Sequence, residues 1–164
     1  MEQLDQWSDY IANVLGREPR GLREIAGWTS DCLPAVIRVA PIVDGKPFPT
    51  LYWLIDPVWN LTLDRLEAAG RIAAIQEQVD ESPALRERMR SDHAAYRRSR
   101  EKFMTSEDKQ FLTAKGMMSA FTDRGVGGIV EPDRVRCLHT WYAAHWVCPN
   151  AIGELIDKLV KAEG

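Results

Sequence analysis

The dipeptide Asp56-Pro57 divides this chain into two regimes of local structure, and the division limits what it can fold into. Before it, apolar residues come in short runs rich in Val, Ile, Trp and Tyr, at 22–26, 35–40 and 50–55, separated by Gly, Pro and Asp-Gly. Such runs read as strands. Asp44-Gly45, followed by PFPT, supplies a hairpin-like return between the second and third. After Asp56-Pro57 the pattern turns helical. Asp accepts orphan amide protons at an N-cap, and Pro at the next position has none to donate. Ser82-Pro83 repeats the device.

The helices predicted from this point run from Asp56 to Gly70, from Arg71 to about Val79, from Ser82 to about Phe103, from Ser106 toward Met118 and from Arg134 to Val147. A final amphipathic helix carries Ile152, Leu155, Ile156 and Leu159 on its apolar side. Another opens the chain, with Leu4, Trp7, Ile11 and Val14/Leu15 at helical spacing and Gly16 as its stop. The order predicts an α+β fold: a small antiparallel three-stranded sheet packed against several helices that cover one face. The 164 residues suit one domain spanning 1–164, since a chain of that size buries about two-thirds of its unfolded surface behind a single core.

Charge and composition exclude several classes of function. A formal net charge of -3 disfavours a protein that coats nucleic acid electrostatically. RLEAAGRI at 65–72 resembles the end of a winged-helix recognition helix, but the helical, acidic AAIQEQVDE follows where a wing would be. No apolar run approaches the length of a membrane span and the N-terminus lacks a signal-peptide pattern, so a cytoplasmic protein is expected. The three cysteines, Cys32, Cys137 and Cys148, are odd in number and lack CxxC spacing, which fits reduced thiols.

Groups able to do chemistry concentrate in GVGGIVEPDRVRCLHTWYAAH at 125–145 and in the turn GREPRG at 16–21. Arg17 and Arg20 in the turn can converge planar guanidinium groups on an anion. Gly127 and Gly128 lack nucleotide-loop spacing, but Arg124, Arg134 and Arg136 flank them, and a helix starting near Asp133 would aim its first amides at the same space. Cys137, His139 and His145 are the candidates for a nucleophile, its base or a metal site. If all were helical, residues 137 and 139 would point about 200° apart and 139 and 145 would be separated by about 9 Å of rise. A metal would then need ligands from elsewhere, such as Cys32 or His93, so none is expected and no cofactor is indicated. His93, Tyr96 and Arg100, one turn apart on a basic helix, face either solvent or a ligand cleft.

Four blocks together, LGREPRG at 15–21, GKPFPTLYWL at 45–54, RLEAAG at 65–70 and RVRCLH at 134–139, resemble the bacterial DUF501 family over nearly the whole chain. The resemblance marks Arg17, Arg20, Gly21, Cys32, Pro47, Phe48, Pro49, Thr50, Gly127, Gly128, Cys137 and His139 as motif positions. It implies no activity, since the family is one of unknown function. After CLH this chain departs from the family pattern with TWYAAHWVCPNAIGE.

The reading that follows is a protein binding a small anionic, plausibly phosphorylated, ligand through a cleft formed by Arg17, Arg20, Arg124, Gly127, Gly128, Arg134 and Arg136. It requires the GREPRG turn and the RVRCLH block to meet in space. One alternative is a Cys/His-dependent enzyme or metal-site protein using Cys137, His139 or His145. Another is an interaction module presenting Trp141, Trp146 and the basic 86–102 helix to a protein partner.

Overall fold

The computed structural model describes residues 2–163. Helix α1 (Glu2–Leu15) leads into β1 (Leu22–Trp28) and β2 (Pro34–Val39), then the short strands β3 (Ile42–Val43) and β4 (Lys46–Pro47), and β5 (Tyr52–Leu54). Helices α2 (Pro57–Ala68), α3 (Arg71–Glu81), α4 (Pro83–Lys102), α5 (Ser106–Ala114) and α6 (Ser119–Thr122) follow. A 3-10 turn at Val126–Gly128 precedes α7 (Leu138–Val147) and α8 (Ala151–Glu163).

The predicted three-stranded sheet is present, antiparallel in the order β1-β2-β5. Asp44-Gly45 does form a turn with positive φ at both central residues, 50° and 70°, as the tight primed hairpin demands. It closes a separate two-stranded hairpin, β3-β4, inserted between β2 and β5. The N-caps fall where Asp and Ser precede Pro: Asp56 accepts the Trp59 amide at 2.7 Å and Ser82 that of Leu85 at 3.2 Å.

Helices cover both faces of the sheet, not one. The cause lies in β2, the central strand, where alternate residues point to opposite faces and each set carries buried apolar residues. Ile37 and Val39 pack with Ile25, Trp53 and the Ile11 face of α1. Val36 packs with Tyr52 and Leu54 against the main core, which contains Leu138, Trp141 and Ala144 of α7. Helix α7 is buried at Leu138, Trp141, Tyr142, Ala143 and Ala144 and packs against both the sheet and α8. Among the described residues no helix is long and apolar enough to cross a membrane.

Candidate functional site

Three electron-donating side chains converge where the end of α2 meets the start of α7. Cys137 Sγ lies 3.9 Å from His139 Nδ1, and Glu67 Oε1 lies 3.2 Å from the same nitrogen. Across the ring, His139 Nε2 is 3.2 Å from Asp64 Oδ1 and 3.4 Å from the Asn60 carbonyl oxygen. Asn60, Asp64 and Glu67 are four and three residues apart, so they form one stripe of α2. The site is half open: the side chains of His139 and Glu67 are 25% and 28% exposed.

This convergence depends on a departure from the predicted helix. Residues 134–137 are not helical; α7 begins at Leu138, and Cys137 is an extended N-cap with φ -144° and ψ 122°. Side chains from other helices hold the preceding backbone in that form. Gln76 of α3 accepts the Val135 amide at 2.9 Å and donates to the Asp133 carbonyl at 2.9 Å. Glu67 accepts the Leu138 amide at 2.7 Å. Two corrections follow. The helical angle of about 200° between residues 137 and 139 does not apply, and Cys137 turns back onto the His139 ring. The leading amide of α7, expected to face an external anion, is already occupied by the carboxylate of Glu67.

The pair is polarised. Burial works against the Cys137 thiolate, but its hydrogen bond with His139 and the Thr140 amide outweigh it and lower the thiol pKa. His139 is raised to about 9, first by its hydrogen bond with Cys137 and further by the charge of Glu67, against some desolvation. Both shifts lean toward a thiolate–imidazolium pair.

His145 is not part of this cluster, and both of its ring nitrogens are engaged between α7 and α8. Its Nδ1 accepts the Asn150 amide at 3.0 Å, and its Nε2 lies 3.2 Å from Asp157, which also accepts from the Tyr142 hydroxyl at 2.8 Å. The ring lies so close to Gly153 that a Cβ there would fall 2.0 Å from His145 Cγ. His145 thus ties α7 to α8, away from the Cys137 cluster.

The His93–Tyr96–Arg100 stripe faces neither solvent nor a cleft that its polar atoms could serve, because backbone groups take them. His93 Nδ1 accepts the Val126 amide and Nε2 donates to the Pro132 carbonyl, both at 3.0 Å. The Tyr96 hydroxyl accepts the Leu51 amide at 2.6 Å. Arg100, 1% exposed, donates to the carbonyls of Pro49, Phe121 and Arg124. Tyr96 does border a hollow with Asp92, Ser99 and Cys148, but at about 60 Å³ it is too small for a metabolite. Cys32 and Cys148 are exposed and make no metal cluster among the described residues.

The arginines divide between two grooves. Arg17 and Arg20 line one with Glu18, Val43, Asp44, Phe48 and Trp53. Arg17 lies over the Trp53 ring at 5.1 Å, and Arg20 pairs with Asp44 at 2.8 Å. Arg134 and Arg136 line a different groove with Gly70 and Gln76 of the α2–α3 region. Arg124 is exposed, its carbonyl held by Arg100. Gly127, at φ 65°, abuts Thr140, whose Oγ1 would be 2.5 Å from a Cβ there; Gly128 has φ 72° with open space beside it. What does meet the Arg17 groove is the histidine end of the RVRCLH block. A third groove, lined by Leu15, Asn60, His139 and Thr140, shares both Phe48 and Trp53 with it.

Glu67 and Asp64 of this cluster are not among the residues expected at a site. The available signal was RLEAAG, a block with an acid in the same set of motifs as RVRCLH.

A family model described as "Protein of unknown function (DUF501)" matches residues 25–158. No curated protein and no solved structure matches the chain.

Proposed function

The chain belongs to the DUF501 family, and from that starting point we propose that it binds a small anionic ligand in the trough running from Arg17 to His139. One observation carries the reading: Phe48 and Trp53 line both the arginine groove and the histidine groove, so the two chemistries share one wall. The motif positions Arg17, Phe48 and His139, distant in sequence, are brought to one surface. Arg17 makes no ion pair among the described residues. Stacked over Trp53, its guanidinium keeps its fork of donors for a phosphate or carboxylate. Arg20 can join it, because an exposed pair such as Arg20–Asp44 is worth at most about 1 kcal/mol and exchanges readily for a ligand. Trp53 and Phe48, packed edge to face at 5.4 Å, offer apolar surface to the rest of the ligand. Arg134 and Arg136 take no part.

The test is thermal shift and calorimetric titration with phosphate, pyrophosphate and nucleotides, with sulfate as a control for general anion effects. Arg17→Ala should weaken binding about tenfold or more, the loss of one charge-assisted contact, while Arg134→Ala should leave it unchanged. Equal binding by wild type and Arg17→Ala, or no binding of any of these anions, removes the proposal.

A second reading rests on the polarised Cys137–His139 pair, which is the arrangement of an activated thiol nucleophile. It predicts that iodoacetamide modifies Cys137 faster than the more exposed Cys32 and Cys148 at neutral pH. Slower modification of Cys137 would dismiss it.

A further inference from the structure

We propose that Glu67, Cys137 and His139 form a binding site for a zinc-class divalent cation, with three protein ligands and a fourth position left for water or a ligand. The site stands on its own geometry and does not depend on the anion-binding reading.

The first argument is spacing. Zinc bonds of about 2.0–2.3 Å at tetrahedral angles put ligand atoms about 3.3–3.6 Å apart. The Glu67 Oε1 to His139 Nδ1 distance is 3.2 Å, the Cys137 Sγ to His139 Nδ1 distance is 3.9 Å, and all three atoms lie within 4.8 Å of one another. The two spacings to His139 Nδ1 lie within a few tenths of an ångström of those values, and rotation of the Cys137 side chain adjusts the third.

The second is the state of the imidazole. Nε2 faces two acceptors, Asp64 Oδ1 and the Asn60 carbonyl oxygen, so its hydrogen points there. Nδ1 faces both Sγ and Oε1, and Oε1 already accepts the Leu138 amide. One proton on Nδ1 cannot serve both neighbours well; a cation at the common point serves all three. The carboxylate behind the ring has the position that outer acids take at metal-binding histidines, where they fix the tautomer. Asp64 is accordingly a positioning residue.

The third is donor type. Thiolate, imidazole and carboxylate together match zinc, whereas calcium and magnesium call for oxygen ligands alone. Three protein ligands on a half-exposed site are the pattern of zinc centres that keep an exchangeable position, as opposed to closed four-ligand structural sites. His139 and Thr140 border the groove that shares Phe48 and Trp53 with Arg17, whereas Glu67 and Cys137 do not line it. Binding displaces to solvent the one proton that the Cys137–His139 pair holds between Sγ and Nδ1.

The experiment uses the full chain, stripped with chelator and titrated with zinc against a chromophoric competitor, together with cobalt(II) as a spectroscopic stand-in. One equivalent should bind, with a thiolate-to-cobalt absorption band and a zinc-dependent rise in Tm. Cys137→Ser should abolish the band. Asp64→Asn should weaken zinc affinity about 10–100-fold. Glu67→Gln retains an amide oxygen to accept the Leu138 N–H, so it should stay folded yet bind zinc more weakly. Cys32→Ser/Cys148→Ser should change nothing. The proposal is overturned if wild type takes up no zinc or cobalt, or if affinity survives Cys137→Ser and His139→Ala but disappears with the exposed cysteines. Titrating phosphate into the stripped protein separates this result from the Arg17 reading, since the arginine end needs no metal.

Discussion

Acidifying the protein from pH 7 toward pH 4 works directly on His93, whose ring is 1% exposed and whose nitrogens are both committed to the backbone of the 125–133 segment. Nδ1 must stay an unprotonated acceptor to hold the Val126 amide, so a second proton breaks that bond and puts an imidazolium in the core. Burial, the largest cause, with Arg97 acting in the same direction, lowers its pKa from 6.5 to about 4, although the Pro132 carbonyl and Asp133 oppose the shift. The unfolded chain protonates at about 6.5 and the folded chain not until about 4. Stability is therefore unaffected above 6.5 and declines as pH falls between those values. A gap from 6.5 to about 4 amounts to about 3 kcal/mol, a large part of the 5–15 kcal/mol or so that holds a domain together. Urea denaturation of wild type and His93→Gln at pH 7, 6, 5 and 4 measures it. Groups that do not interact with His93 act in both chains and drop out of the difference. The variant should be less stable at pH 7, and the gap should shrink by about 2–3 kcal/mol by pH 4. A difference that stays flat across pH refutes the account of His93 as a buried neutral acceptor.

Two further outcomes are expected. Gly125→Ala places a Cβ 2.1 Å from His93 Nδ1; it should destabilise the fold by about 2 kcal/mol at pH 7 by displacing the ring from the Val126 amide, and the excess acid sensitivity should fall with it, both read from the same urea series. Asp56→Ala removes the acceptor of the Trp59 amide and should cost about 1 kcal/mol in chemical denaturation without altering zinc or phosphate titrations, since Asp56 borders neither groove.

Local chemistry made much of the fold legible in the amino-acid order. Asp56-Pro57, Ser82-Pro83 and Asp44-Gly45 act through hydrogen bonds and φ angles within a few residues, so they mean the same thing in a sequence as in a structure. The switch at Asp56 from strand runs to helical periodicity likewise determined the α+β class. Tertiary contacts decided the rest. That β2 is buried on both faces follows from α1 returning across the sheet to cover Ile37 and Val39. Arg100 and His93 read as a charged surface stripe but became internal staples, because the backbone of Phe121, Arg124, Val126 and Pro132 arrives beside them. The Cys137–His139–Glu67 cluster was hidden for the same reason. A continuous helix from Arg134 would have pointed Cys137 and His139 apart; instead Gln76 and Glu67, 59 and 71 residues away from the amides they accept, hold the backbone extended until Leu138. Residue type named the chemistry available to this chain, and contacts distant in sequence chose which groups share a site.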